Sequence, residues 1–223
     1  MSLFDARFYD LIVHLPGNAE EISRFSFVAK RYGYSGIAIV NSKENSLHTV
    51  HKPAGLSIYR SVEISIKPSR LRDEIKKQRA SQNILIVRGG DEELDRQAVE
   101  TEGLDILLQP AKFNNVLATT AANNSITLGF DIGSIIHLRG EPRARELRIM
   151  RTNLKHARKY DLQMILTSDA HSLYDLRSPR EMAALAGLFG MTTKEAADAM
   201  SKSPMEIIRK KSHDYIRAGI EII

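Results

Sequence analysis

Along the chain, short apolar runs rich in β-branched residues alternate with longer stretches whose apolar positions recur at helical spacing. That alternation is the pattern of strand–helix units built around a parallel sheet. Seven runs read as strands: YDLIV (9–13), GIAIV (36–40), LSIYRSVEIS (56–65), NILIV (83–87), DILLQ (105–109), SITLGF (125–130) and LQMILTS (162–168). Helix ends between them carry chemical signals. Asn18 followed by Glu21 has capping-box spacing, and the helical period after it breaks at Gly33. A long helix is expected from Pro142, a residue suited to a first turn, to Tyr160, with Leu147, Met150, Leu154 and Ala157 on one face. Arg148, Arg151, Lys155 and Arg158 follow the same spacing one step round, which predicts a basic ridge beside the buried stripe.

After the last strand, three short helices are expected near 179–188, 193–200 and 204–212. The second and third are opened by the capping chemistry of Thr192-Thr193-Lys194-Glu195 and Ser203-Pro204-Met205-Glu206. No Gly/Ser- or Pro-rich linker, internal repeat or low-complexity tract interrupts the pattern, so a single α/β domain over residues 1–223 is predicted. Seven parallel strands can form an open sheet or close into a barrel. Polar residues recur at the strand ends (His14, Asn41, Glu63, Arg88, Gln109, Asp131, and Asp169 with His171), and in a barrel those ends converge on one mouth where binding and chemistry sit. This favours a TIM-barrel-like (β/α) fold.

Composition then narrows the chemistry. A 223-residue domain buries roughly three quarters of its unfolded surface, and 43% apolar with 26% charged residues is ordinary globular usage. The absence of cysteine excludes disulfides, thiolate zinc sites and a catalytic thiol. The N-terminal MSLFDARFYDLIVH is acidic where a signal peptide carries lysines, and no apolar run approaches the ~18 residues of a membrane span, so a cytoplasmic location without a membrane partner is expected. The net charge of +5 is concentrated: residues 139–159 hold eight Lys or Arg against two Glu, and residues 67–79 hold six against two acids, leaving the remainder slightly acidic.

Two chemistries compete at the strand ends. His14, Glu63, Asp169 and His171 are metal-ligand types, although such residues more often cap a helix or face solvent. Arg88-Gly89-Gly90, between a strand and a helix opened by Asp91, could share an anion with helix N-terminal amides, although Gly-Gly is also an ordinary turn and Asp91 an ordinary cap. Neither a P-loop nor a dinucleotide fingerprint occurs, Ser168, Asp169 and His171 are too close in sequence to read as a hydrolase triad, and His48 and His51 read as surface residues. The two basic segments favour a polyanion, and with 6% aromatics and no Trp, structured RNA or a duplex backbone suits them better than stacked single strands.

In order, DLIVHLPGN, YGYSGIAIVN, the YRSVEIS run, LIVRGGDEELDRQAVE, LDILLQP and above all TSDAHSLYDLRSPREM resemble the protein component 3 family of archaeal ribonuclease P, which includes the corresponding eukaryotic RNase P/MRP subunit. The resemblance covers nearly the whole chain. It implies a distorted seven-stranded barrel related to the PHP phosphoesterases, within the ribonucleoprotein that removes 5′ leaders from precursor tRNA. It also implies partnership with RNase P RNA, protein component 2 and other subunits, precursor tRNA being met indirectly. Hydrolysis then belongs to the RNA, with Mg expected for the holoenzyme RNA and no cofactor bound by this chain.

The PHP relationship implies a sharper reading of the strand ends. Where PHP enzymes carry H-x-H after the first strand, this chain has Asp10 and a lone His14; where they carry T-D-H after the second, it reads Val40-Asn41-Ser42. Glu63 matches the carboxylate of the third strand, Gln109-Pro110 replaces a histidine, and Asp169-Ala170-His171 is intact. His14, Glu63, Asp169 and His171 are thus relic metal positions, expected to hold metal weakly or not at all, in a chain without catalytic residues of its own. The RNA-contact candidates are Arg60, Arg70, Arg72, Lys76, Arg88, Lys112, Arg139, Arg143, Arg148, Arg151, Lys155, Arg158, Arg177 and Arg180, with Arg88, Arg177 and Arg180 expected to meet phosphate at the mouth. Two rivals stand beside this reading: a stand-alone metal-dependent PHP-like phosphoesterase, and a scaffold that acts mainly by binding protein.

Overall fold

Each of the seven apolar runs becomes a strand of one parallel sheet. A computed structural model describes residues 6–15, 18–42, 47, 49–79, 81–212, 215–217 and 220–221, the last two segments by their backbone. The strands are β1 (Phe8–Val13), β2 (Tyr34–Val40), β3 (Ser57–Glu63), β4 (Ile84–Arg88), β5 (Ile106–Leu108), β6 (Thr127–Asp131) and β7 (Met164–Thr167), hydrogen-bonded in chain order. Every pairing is parallel.

Closure into a barrel occurs between β1 and β7, where a ladder is replaced by side chains. Val13 bridges Ala170 just past β7, and the amide of His14 donates to the Ala170 carbonyl at 2.8 Å. Below this, the fully buried carboxyl of Asp10 accepts from the Thr167 hydroxyl at 2.7 Å and from the Ser168 hydroxyl and amide at 2.6 and 2.9 Å. The Thr167 hydroxyl lies 3.0 Å from the Ile12 carbonyl as well. A polar group buried without partners is costly, so an acid in the otherwise apolar YDLIV strand requires such a set.

Strand alternation divides the apolar residues into two layers. Tyr9, Leu11, Ala38, Val40, Ile84, Ile86, Ile106, Leu108 and Ile165 fill the barrel interior, with Tyr59 against them. Ile207 and Ile208 of the last helix belong to this same cluster. Outside, Ile37, Leu85, Val87 and Leu128 of the sheet pack on Phe25, Ile75, Leu117, Leu154 and Met182 of the helices.

The helices are α1 (Ala19–Arg31), α2 (Pro68–Arg79), α3 (Glu92–Glu100), α4 (Asn115–Asn123), α5 (Ile132–His137), α6 (Gly140–Lys159), α7 (Pro179–Ala186), α8 (Thr193–Met200) and α9 (Lys202–Lys210), with one 3₁₀ turn at Gly187–Phe189. Their starts follow the sequence chemistry closely. Asn18, Asp91, Asn114, Ser178 and Thr192 cap their helices through the side chain, the last two as reciprocal capping boxes with Glu181 and Glu195. The start expected at Ser203 is corrected: α9 begins at Lys202, and its cap residue Ser201 turns its hydroxyl back to the Ala197 carbonyl at 2.6 Å. A short antiparallel ribbon, Tyr215–Arg217 with Ile220–Glu221, follows and was not expected. Among the described residues no helix is long and apolar enough to cross a membrane.

Candidate functional site

The polar strand ends do converge. His14, Glu63, Arg88, Asp131 and Asp169 continue β1, β3, β4, β6 and β7 onto one mouth, and the centre of the group is an arginine. Arg88 Nε lies 3.0 Å from Glu63 Oε1, its Nη2 2.7 Å from Asp169 Oδ1 and 3.3 Å from Glu63 Oε2, and its Nη1 3.5 Å from Asp131 Oδ2. His14 Nε2 adds contacts of 3.0 Å to Asp169 Oδ1 and 3.4 Å to Glu63 Oε2, and its ring stacks on His171 with centroids 4.5 Å apart and planes within 5°. Asp169 reaches inward because its backbone is left-handed, φ 48°, a conformation that Asp tolerates better than most residues. Asn41, also left-handed at φ 52°, steadies β3 by accepting from the Glu63 amide at 3.2 Å.

The electrostatics follow from this packing. Burial alone would lower the His14 pKa, but Asp169 and Glu63 outweigh it and raise it to about 9. Burial pushes the Glu63 and Asp169 carboxyls up, and His14 and Arg88 more than reverse it, leaving both below the usual carboxylate range. Asp131 is carried to about 7 by burial and by the neighbouring charge of Asp169. His14, Asp169 and His171 each offer one donor atom within 4.8 Å of the others, a mixture that suits zinc, manganese or iron. With Arg88 in place the fit fails: the carboxylates that would complete the shell already hold a guanidinium.

The Arg88-Gly89-Gly90 turn is built for close packing. A Cβ on Gly89 would come within 2.4 Å of Asp95 Oδ1 and 2.6 Å of Pro110 Cα. Asp95 accepts from the amides of Gly90 and Ala111 at 3.3 and 3.2 Å, its pKa raised to about 6 by burial against the lowering effect of those amides. The first amides of α3, those of Glu93 and Leu94, are taken by the Asp91 carboxylate at 2.8 and 3.1 Å. The expected anion cradle is therefore filled by the chain's own carboxylates, and Arg88, expected on phosphate, has carboxylate partners.

Most of the TSDAHSLYDLRSPREM signature has a structural task. Thr167 and Ser168 bind Asp10 across the seam, and Asp169 faces the mouth. Asp175 accepts from the His171 amide at 3.1 Å and the Ser172 hydroxyl at 2.8 Å, and Ser178 with Pro179 opens α7. Arg177 donates to the Tyr174 and Leu176 carbonyls at 2.6 and 2.9 Å, while its own carbonyl accepts from buried Tyr34 at 2.8 Å. Arg180 is exposed and lines a cleft with Ala6, Phe8, Tyr32 and Gly33, residues that precede or open β1 and β2. It thus lies toward the end of the barrel away from the mouth, which corrects the expectation of three arginines gathered there.

The RNase P subunit p30 family profile matches residues 7–215, nearly the whole described chain. The chain belongs to the RNase P subunit p30 family. It is similar to "Ribonuclease P protein component 3" of Methanococcoides burtonii, 40% identical over 226 residues, covering 96% of this chain and 93% of that protein. Its fold is similar to a chain in the cryo-EM structure of archaeal ribonuclease P with mature tRNA, at TM-score 0.80 and 24% identity over 96% of this chain and 97% of that one. The barrel is also shared with a Xaa-Pro dipeptidase, at TM-score 0.69 and 9% identity, covering 92% and 76% of the two chains.

In this p30-family chain the basic ridge of α6 is divided between two roles. Arg143 caps α5, donating to the Leu138 carbonyl at 2.6 Å; Arg151 donates to the Leu188 carbonyl at 2.9 Å. Arg158 forks onto Glu195 at 2.7 and 2.8 Å and reaches the Gly190 carbonyl at 2.8 Å. These three tie α6 to neighbouring segments. Arg148 pairs with Glu141 at 2.6 Å and Lys112 with Glu92 at 3.2 Å on the open surface. Arg139 at the start of α6, Lys155 within it, and Arg70, Arg72 and Lys76 on α2 are exposed and make no ion pair among the described residues. Arg60 shares the outward parity of Ile58 and Val62 on β3 and is half-buried there, not at the mouth. Around the barrel, α2 packs on α3, α3 on α4 and α4 on α6, so the two basic helices present separate surfaces. His48 lies outside the described residues, and His51 is exposed beside Phe27.

Reading the sequence missed Asp10 as the seam staple and Asp95 as the clasp between the β4 and β5 turns. The signal for Asp10 was present, a single acid inside an apolar strand. Asp95 sits at helical spacing beside exposed acids, and nothing in the sequence sets it apart.

Proposed function

We propose that the chain is a noncatalytic RNA-contacting subunit of ribonuclease P, the ribonucleoprotein that removes the 5′ leader from precursor tRNA. It works with RNase P RNA, protein component 2 and the other protein subunits, and leaves hydrolysis and its Mg to the RNA. Membership of the p30 family and 40% identity to a ribonuclease P component 3 support the setting. The observation that carries the noncatalytic role is the mouth itself: Glu63, Asp131 and Asp169 are turned onto Arg88 and His14, so the charges that would serve acid–base chemistry or a metal are matched inside the protein. The cations that face outward lie on α2 and on the open side of α6, where they meet a phosphate backbone as sequence-independent contacts.

The test is reconstitution of RNase P RNA with this protein, with and without component 2, followed by precursor-tRNA cleavage. Stimulation of cleavage is expected, unchanged within about threefold by Glu63→Gln or His171→Ala. Loss of turnover on the scale of a missing general acid or base, ~100-fold or more with RNA affinity intact, would show a catalytic role for the mouth.

A further inference from the structure

Three carboxylates from three strands meet at one point in the mouth, and each touches a nitrogen of the same guanidinium. Arg88 Nε is 3.0 Å from Glu63, Nη2 is 2.7 Å from Asp169 and Nη1 is 3.5 Å from Asp131. Two imidazoles flank the group, His14 with Nε2 3.0 Å from Asp169 Oδ1 and His171 with Nε2 3.9 Å from Asp169 Oδ2. Removing the arginine side chain leaves three acids and two imidazoles around the space it filled, with formal charge −3 and a donor set of the kind that binds zinc or manganese. His14 Nε2 points into the same space, 3.0 Å from Asp169 Oδ1 and 3.4 Å from Glu63 Oε2.

From this geometry we infer that Arg88 is the resident cation of a latent divalent-metal site, occupying the position of the ion and keeping metal out, so that loss of Arg88 alone converts the barrel mouth into a metal-binding centre. The guanidinium is planar and forked, so it can meet several carboxylates at once, as a metal would. It also sits on a β-strand end, held by the strand pairing of β4 with β3 and β5 rather than by a loop. A fixed positive charge within about 4 Å of an incoming dication repels it strongly in a half-buried setting, so native affinity should fall at least roughly 100-fold below that of the arginine-free site. The same removal leaves like charges crowded together, so bound metal should also restore stability to the variant.

The experiment compares untagged full-length wild type, Arg88→Ala and Arg88→Gln in equilibrium dialysis against Mn²⁺ and against Zn²⁺, with thermal unfolding followed in parallel. Expected are about one equivalent of metal on each Arg88 variant, binding at least about 100-fold weaker on wild type, a metal-dependent rise in Tm for the variants only, and loss of the gained binding when Asp169→Asn is added. Should Arg88→Ala not fold without metal, recovery of its circular dichroism on adding Mn²⁺ or Zn²⁺ reads the same result, and Arg88→Gln supplies the folded comparison. Wild type binding one equivalent as tightly as the variants, or folded Arg88→Gln binding none, would overturn the inference, as would gained binding that survives Asp169→Asn.

Discussion

Replacing Asp10 by alanine removes the acceptor that closes the barrel. Four donors converge on its carboxyl: the Thr167 hydroxyl at 2.7 Å, the Ser168 hydroxyl and amide at 2.6 and 2.9 Å, and the Ile12 amide at 3.3 Å. All lie in the buried seam, with Asp10, Thr167 and Ser168 each 0% exposed. A net ~1 kcal/mol for each of the four hydrogen bonds, together with ~1–3 kcal/mol for a buried amide left without a partner, gives a loss of about 5–7 kcal/mol. Burial holds the carboxyl pKa above its usual range against those four donors, so an amide that cannot ionise avoids that cost. Asp10→Asn, keeping one acceptor but not the pair facing Ser168, should therefore cost only about 1–2 kcal/mol. Urea denaturation gives both values directly, and for a chain of this size the alanine variant should unfold on the order of 10 °C lower. Because His14 and Ala170 are joined across the same seam, the alanine variant should also lose hydrogen-exchange protection first at the His14 amide. An alanine variant within about 1 kcal/mol of wild type, or one no less stable than the asparagine variant, would refute the seam as the closing device.

Three further outcomes follow from particular contacts. Gly89→Ala drives a methyl into Asp95 and the Pro110 backbone at 2.4 and 2.6 Å and should cost about 1–3 kcal/mol in urea unfolding, with no change expected if that turn were open. Glu195 is held at about 2, chiefly by Arg158, so its contribution to stability is present above its ordinary pKa near 4.5 and is lost as pH falls toward 2; after screening of this partly exposed pair that is ~1 kcal/mol. Arg158→Ala should remove that acid-side slope in unfolding followed from neutral pH down to about 2. For RNA, removing Arg70, Arg72 and Lys76 together should reduce the log–log salt slope of RNase P RNA binding by about 0.7–0.9 for each phosphate those side chains neutralise, whereas Arg151→Ala should leave the slope unchanged because its guanidinium is on the Leu188 carbonyl. Equal slopes for both sets would separate RNA binding from α2.

Strands, helices and caps were legible locally because each depends on a periodicity or a side chain a few residues from the backbone it serves. The Ile84–Arg88 run, the Asn18 and Thr192 caps and the stripe through Met150, Leu154 and Ala157 are of this kind. The convergence of polar strand ends was legible too, since parallel strands in chain order bring their C-terminal ends to one side. Lysine and arginine counts, by contrast, measured charge and not its availability. Arg88, Arg143, Arg151 and Arg158 all belonged to basic candidates in the sequence, yet their partners lie 25 to 81 residues away or on a carbonyl, and a carbonyl has no signature at all. What the chain by itself determined was seven strand–helix units of a parallel α/β fold with their strand-end chemistry on one side, the barrel being implied by the resemblance to ribonuclease P component 3. Only the tertiary structure decided that Asp10 closes the barrel and that Arg88 stands among the carboxylates in place of a metal, because charge pairing is set by distances across strands that no local pattern records.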